Sequence, residues 1–187
     1  MQYFAGTPHV LPPALLADMG RYRYRVFVGK LGWPLQCDGD LEYDEFDRED
    51  TVYVVAQDPE GVVTGTARLL PTTRPYLLQK AFRNLWGGNE LPDCHTVWEL
   101  SRFAAVDFRS SASSEVQASA GHARDLFRKA VSLARRQGAK TLITVSPIGM
   151  ERLLRASGFS SMRAGAPTMC CGVPIVALKI DCEDIEE

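Results

Sequence analysis

Three arginines and three acids sit in segments that are otherwise apolar. Arg23 falls among Leu15, Leu16, Met19, Tyr22, Val26 and Phe27, which a helix turning about 100° per residue places on one face. Arg68 lies between Ala67 and Leu69, Glu99 and Arg102 interrupt TVWELSRFAAV, and Asp44 and Asp47 lie beside Tyr43 and Phe46 in EYDEFD. Burying an unpaired guanidinium costs on the order of several kcal/mol. Arg23 therefore either has carboxylate partners, for which Asp44 and Asp47 are the natural candidates, or it reaches the helix edge and binds nothing. Acid pairs are common on surface loops, yet six charges in apolar segments are seldom independent. The pattern reads as a buried or cleft-lining network.

The elements that must hold these charges follow from periodicity and punctuation. Pro12-Pro13 opens a helix over Leu15 to Phe27, with Arg21 and Arg25 on its solvated side. After an acidic loop, TVYVVAQD (51–58) reads as a β-branched strand, and VVTGTARLL (62–70) returns from the Pro59-Glu60-Gly61 turn as an antiparallel hairpin. PYLLQKAFRNLW (75–86) is a short helix ended by Gly87-Gly88-Asn89, and TVWELSRFAAV (96–106) alternates as a central strand. A Ser-rich loop at 109–114 precedes a long helix from Glu115 to Gln137, closed by Gly138. TLITVSP, IGMERLLRASGF and GVPIVALKID then read as strand, helix and strand. A hairpin followed by alternating strands and helices predicts a mixed α/β sheet covered by helices, in one domain over 1–187.

Composition narrows the class. The 187 residues are 45% hydrophobic and 24% charged, ordinary for a globular domain, and no apolar run approaches 18 residues. With no secretory signal either, the expectation is a cytoplasmic protein without a membrane span. Cys37, Cys94, Cys170, Cys171 and Cys182 are odd in number and lack CxxC spacing, so reduced thiols are expected and zinc is not. Net charge is only -2 but uneven, with ten acids from Asp38 to Glu60 against the single Arg48. Arg124, Arg128, Lys129, Arg135, Arg136, Lys140, Arg152 and Arg155 then face only Asp125 and Glu151. This basic stretch is either a surface for an acidic partner or the solvated side of an amphipathic helix. Nucleic acid is not expected, because no aromatics are interleaved with the basic residues.

The order of the last elements, ending in ERLLRASGF, resembles N-acetyltransferase domains of the GNAT type. The glycine-rich turn with which those enzymes hold the coenzyme A diphosphate is replaced here by RSSASSEVQASAG. An acyl donor carried on a protein fits that departure better. A more specific resemblance covers residues 20 to 180. Arg23, Phe27, Trp33, Asp44, Asp47, Arg68, Phe82, Glu99 and Arg102 resemble the full signature of bacterial acyl-homoserine-lactone synthases, the autoinducer synthases of quorum sensing, and VFVGKLGW, EYDEFD, ARLLPT and WELSRF match that family in order and spacing. No departure occurs among these nine positions. The fold implied is α/β, GNAT-like, a three-layer αβα arrangement with a mixed, mostly antiparallel central sheet.

The resemblance implies two substrates, S-adenosylmethionine and an acyl thioester on acyl carrier protein, and no cofactor. The amine of the first attacks the thioester, and its carboxylate then displaces methylthioadenosine to close a lactone. An ammonium must lose a proton before it attacks, so a base is needed, and Glu99 is the candidate. Arg102 and Arg68 are placed to orient Glu99 or to neutralise charge on the thioester oxygen, and Ser101 either assists or is a structural hydroxyl. Trp33 and Phe27 suit the sulfonium, aromatic faces attracting cations by roughly 0.5 to 2 kcal/mol; core packing is the other reading of Phe27. Arg23, held by Asp44 and Asp47, would face the substrate carboxylate or shape the adenosyl pocket. Leu100, Phe103, Leu142, Thr144, Val145, Ile148, Met150 and Leu153 would line an acyl tunnel, with Phe82 supporting a wall. By resemblance Thr144 is the position tied to the third acyl carbon, although threonine is also an ordinary strand residue. The acidic carrier would meet the basic surface of Arg124, Arg128, Lys129, Arg135, Arg136, Arg152 and Arg155.

Overall fold

The computed structural model describes residues 1–109 and 115–183, with the side chains of 115–119 left aside. The expected Ser-rich loop thus lies, apart from Arg109, outside the described residues, and with it residues 110–114 of the RSSASSEVQASAG stretch. Two compact units divide the chain, Met1–Arg68 with Arg102–Lys129, and Leu69–Ser101 with Ala130–Glu187.

In the first unit, strand β1 (Gln2–Gly6) pairs antiparallel with β2 (Val52–Gln57), Phe4 opposite Val55. Its neighbour β3 (Val63–Pro71) follows a turn in which the Asp58 amide donates to the Val62 carbonyl. Helix α1 (Pro13–Arg23) starts where Pro13 needs no amide donor. It buries Leu15, Met19 and Tyr22 against Tyr53, Val55 and Val63. Each such side chain contributes about 1.5–3 kcal/mol on leaving water. Arg21 and Arg25 are exposed and Arg23 is buried.

The expected helix over Leu15 to Phe27 does not stay α-helical. From Tyr24 to Lys30 the backbone widens into a π-helix, in which the Leu31 amide donates to Val26 and the Trp33 amide to Phe27. No proline or paired glycine marks this change in sequence. Wider turns of this kind recur at functional sites, and here the widening brings Trp33 onto Phe27, their rings stacked at 5.0 Å.

Strand β4 (Val97–Ala105), whose residues as far as Ser101 belong to the second unit, runs parallel to β5 (Thr141–Pro147), Glu99 opposite Ile143. β5 pairs antiparallel with β8 (Val173–Asp181), and β8 pairs antiparallel with β6 (Ser161–Arg163) and β7 (Thr168–Cys170). The sheet is mixed and mostly antiparallel, as the sequence predicts. The three short strands β1, β6 and β7 are additions to that reading. The helix expected over 75–86 is broken at Phe82 into α2 (Leu77–Ala81) and a 3₁₀ turn (Arg83–Trp86). The long helix α3 (Glu115–Arg136) ends at Gly138, whose φ of +90° suits a residue without Cβ, and α4 (Gly149–Ala156) follows β5.

β4 is also less regular than its alternation suggests. Arg102 has a φ of +49°, in the left-handed region that side chains with a Cβ rarely adopt. A pleated strand would send Glu99 and Arg102 to opposite faces, yet both are buried. The left-handed residue breaks the period of two there. Strain of this kind costs on the order of 1–3 kcal/mol and persists where the surroundings hold it.

Candidate active site

In the first unit the acidic loop is fastened to α1 and β2. Tyr43 donates its phenol proton to the Leu16 carbonyl, the Glu42 amide donates to Gly20, and the Thr51 hydroxyl donates to Phe46. Gly20 allows this approach, because a Cβ there would lie 2.7 Å from the Tyr43 ring. The loop also braces itself, the Asp44 amide donating to Asp47 Oδ2 at 2.7 Å and the Phe46 amide to Asp44 Oδ1 at 2.9 Å.

The loop thereby offers three carboxylates to three buried arginines. Arg23 Nε meets Glu42 Oε2 at 2.6 Å, and its two terminal nitrogens take Asp47 at 2.7 and 2.9 Å. Arg68 makes a fork to Asp44 at 2.5 and 3.1 Å and reaches Asp47 at 3.1 Å. Arg102 donates through Nε and Nη2 to Glu42 at 2.9–3.1 Å, and through Nη2 to Asp44 at 2.8 Å. Tyr53 donates its hydroxyl to Asp47 at 2.8 Å. Planar forks of this kind fix direction as well as charge.

These contacts revise one expectation from the sequence and add two residues to it. Asp47 does hold Arg23, but Asp44 serves Arg68 and Arg102 instead. Arg23's other partner is Glu42, absent from the sequence reading. Glu42 and Asp44 stand two apart, a spacing that sends both side chains to one side of an extended segment; that was the available signal, masked by the other acids of the loop. Tyr53 was equally missed as an ordinary strand aromatic.

The electrostatics follow from geometry. Burial alone would raise the Glu42 carboxyl, but the Arg23 and Arg102 guanidinium groups outweigh it and hold it below its ordinary 4.5. Asp47 is likewise pushed up by burial and brought down further by Arg23 and Arg68, ending well below its ordinary 3.8. A carboxylate depressed in the folded state contributes stability above its unfolded pKa, which is lost as pH falls through the folded one. Melting temperature should therefore hold from neutral pH to about 5 and fall steeply below about 4. Glu42→Gln should flatten that acid slope, and an unchanged slope in a pH series of thermal melts would count against this assignment.

Phe27 is buried with Trp33 stacked on it and the Arg102 guanidinium 5.5 Å from its ring centre; Trp33 remains half-buried. Asp44, with 21% of its side chain exposed, is the most open of the ion-paired carboxylates described above. Phe103 packs edge-on against Phe127.

In the second unit, both oxygens of the buried Glu99 carboxylate accept backbone protons, from Leu77 at 2.8 Å and Leu78 at 2.6 Å. Those amides open α2, which has no side-chain cap of its own. Tyr76, just before them, has its phenol pushed up to about 12 by burial and then by the negative charge of Glu99 and Asp93. Ser101 is buried, Phe82 is half-buried where α2 ends, and Thr144 is buried with its hydroxyl 3.4 Å from Ser146. Arg124, Arg128, Lys129, Arg135 and Arg136 on α3, and Arg152 and Arg155 on α4, are all exposed. No helix among the described residues is long and apolar enough to cross a membrane.

Comparison with known proteins gives this arrangement its class. The structure of TofI in a ternary complex with an inhibitor and MTA has a TM-score of 0.85 and 45% identity, covering 97% of this chain and 92% of TofI. MesI, described as a CoA-dependent acyl-homoserine lactone synthase, has a TM-score of 0.81 at 28% identity, covering 97% and 89%. The fold is thus the GNAT-like one of these enzymes. An acyl-homoserine-lactone synthase of Acinetobacter baumannii is 49% identical over 183 residues, 97% of this chain and the whole of that protein. A family model described as autoinducer synthase matches residues 10–187. The chain belongs to the autoinducer synthases, the acyl-homoserine-lactone synthase family of acyltransferases.

Proposed function

We propose that the chain, working as a single synthase domain, transfers an acyl group from acyl carrier protein to S-adenosylmethionine and closes the product to a lactone. The observation that carries this is the set of oriented guanidinium groups, Arg23, Arg68 and Arg102, beside the Phe27–Trp33 stack. The half-buried Trp33 of the stack offers an aromatic face to the sulfonium, and the network, with the Arg23 fork on Asp47 and the Arg68 fork on Asp44, holds the residues around it. MTA, held by TofI, is read as the methylthioadenosine leaving group of the same reaction.

Glu99 takes the proton that the substrate ammonium must shed, directly or through water. The Leu77 and Leu78 amides fix the direction of that carboxylate, one on each oxygen. The freed amine attacks the thioester carbonyl, and Arg102, with Ser101 beside it in sequence, stabilises the oxyanion until the thiol leaves with a proton. The substrate carboxylate then attacks the carbon attached to sulfur. The C–S bond breaks, methylthioadenosine departs neutral, and the ring closes with little demand beyond proximity. Thr144, Phe103 and Phe82 would contact or support the acyl chain.

Mass spectrometry of culture extract from cells expressing the protein tests the reading. A homoserine lactone bearing one dominant acyl group is the expected product; its absence, with the protein folded and both precursors present, would sink the proposal. Cytoplasmic location follows from the precursors being made there.

The donor has a second reading, because MesI is CoA-dependent. Carrier protein is favoured by Arg124, Arg128 and Arg135, which fall within about 40° of one another on α3 at 100° per residue and are all exposed. Reversing these three to Glu should weaken use of carrier-bound donor by roughly tenfold or more, screening of exposed pairs being incomplete for a cluster. Use of a short acyl-CoA should change far less in the same kinetic assay. Equal loss with both donors would remove the docking surface.

A further inference from the structure

The turn joining β7 to β8 carries two adjacent thiols, Cys170 and Cys171, that the proposed reaction does not use. Cys170 lies opposite Val173 in the antiparallel pair, so the loop is only Cys171 and Gly172. Both have positive φ, +50° and +78°, the pattern of a type I′ hairpin turn. Asn, Asp or Gly is the usual first residue of such a turn. Cysteine at that place holds a conformation its Cβ disfavours, and an outlier of this kind points to a use for the side chain. The sulfurs stand 4.0 Å apart, with Cys170 half-buried and Cys171 exposed.

That separation selects the chemistry. A disulfide needs about 2.05 Å between sulfurs, so the pair would have to close by about 2 Å within a two-residue turn. A pyramidal trivalent centre bonded to two thiolates at about 2.3 Å, the length of a metal–thiolate bond, with an angle near 100° spans sulfurs about 3.5 Å apart. The observed gap of 4.0 Å needs to close by only about half an ångström for the second. Burial and the neighbouring thiol also raise the Cys170 thiol, which slows oxidation through a thiolate.

We propose that the Cys170–Cys171 turn is a two-thiol clamp for thiophilic trivalent metalloids, with organoarsenicals as its ligand class. In the binding step R–As=O gives up its oxygen as water, taking one proton from each thiol. Two S–H bonds break, two As–S bonds form, and no atom changes oxidation state.

Phenylarsine oxide added to the full-length protein, followed by intact-mass measurement and thiol counting, tests this. One arsenical per chain should consume two of the five thiols, survive excess monothiol and be stripped by a dithiol. Cys170→Ser and Cys171→Gly, the second well suited to the turn, should each lower retention by roughly tenfold or more, since the second bond gains from effective concentration. Cys94→Ser should leave it unchanged. Equal retention by the wild type and Cys171→Gly, a one-thiol adduct, or an adduct mapped to Cys37, Cys94 or Cys182 overturns the proposal.

Discussion

Glu99→Gln should lower turnover by about 10² to 10⁴, the range in which a positioned general base contributes, while the protein still folds. The amide has nearly the volume of the carboxylate and keeps one carbonyl oxygen for one of the Leu77 and Leu78 amides. Its NH₂ faces the other amide donor to donor, so a destabilisation of about 1–3 kcal/mol accompanies the change. Two effects are thereby mixed, and the measurement must separate them. If Glu99 only caps α2, the melting temperature falls while turnover per folded molecule stays near the wild-type value. If it is the base, turnover collapses at temperatures where both proteins are fully folded, and the acid limb of the rate-against-pH profile disappears. Glu99→Asp sharpens the distinction, because it keeps the charge but retracts it by one methylene. That variant should recover part of the rate and keep the acid limb. An amide variant with wild-type turnover would take Glu99 out of the chemistry.

The inward orientation of Arg23 was legible, since α1 obeys its apolar stripe and the Pro12-Pro13 start. Asp47 as its partner was legible too, because an arginine buried in that stripe requires an acid. The widening at Tyr24 was not, as nothing in YRVFVGK breaks a helix; it depends on what Phe27 and Trp33 meet once the chain is folded. The short strands were hidden for a related reason. β6 and β7 have three residues each and exist because β8 offers both an edge. Glu42 was hidden among ten acids, half of them exposed, since burial rather than residue type sets it apart. Arg102 misled differently: alternation placed it on a regular strand, and the left-handed backbone that turns it toward Glu42 is a property of the folded surroundings.

The pairing of Arg23 with Glu42 predicts the largest change in stability. Neither side chain is exposed, and the bond between them is 2.6 Å. Arg23→Met replaces a fork donor by an apolar chain and leaves Asp47 and Glu42 each short of a partner, which should cost about 3–5 kcal/mol. In a chain of this size about 2–4 °C of melting temperature goes with each kcal/mol, so a fall on the order of 10 °C is expected. Glu42→Gln should also destabilise, because Arg23 and Arg102 then share a neutral acceptor. Combining the two removes one charge of each sign and restores the balance. The double variant should therefore be more stable than the sum of the single costs allows, by about 0.5–3 kcal/mol of coupling. Thermal melts of the four proteins measure this, and additivity within about 0.5 kcal/mol would show the contact to be energetically idle. Activity should not follow stability. Arg102 loses its charged anchor in both Glu42 variants, so its strained backbone no longer has two carboxylates to hold the guanidinium in place. The double variant should be the more stable protein for its substitutions and still a poor synthase, which separates holding the fold from aiming the arginine.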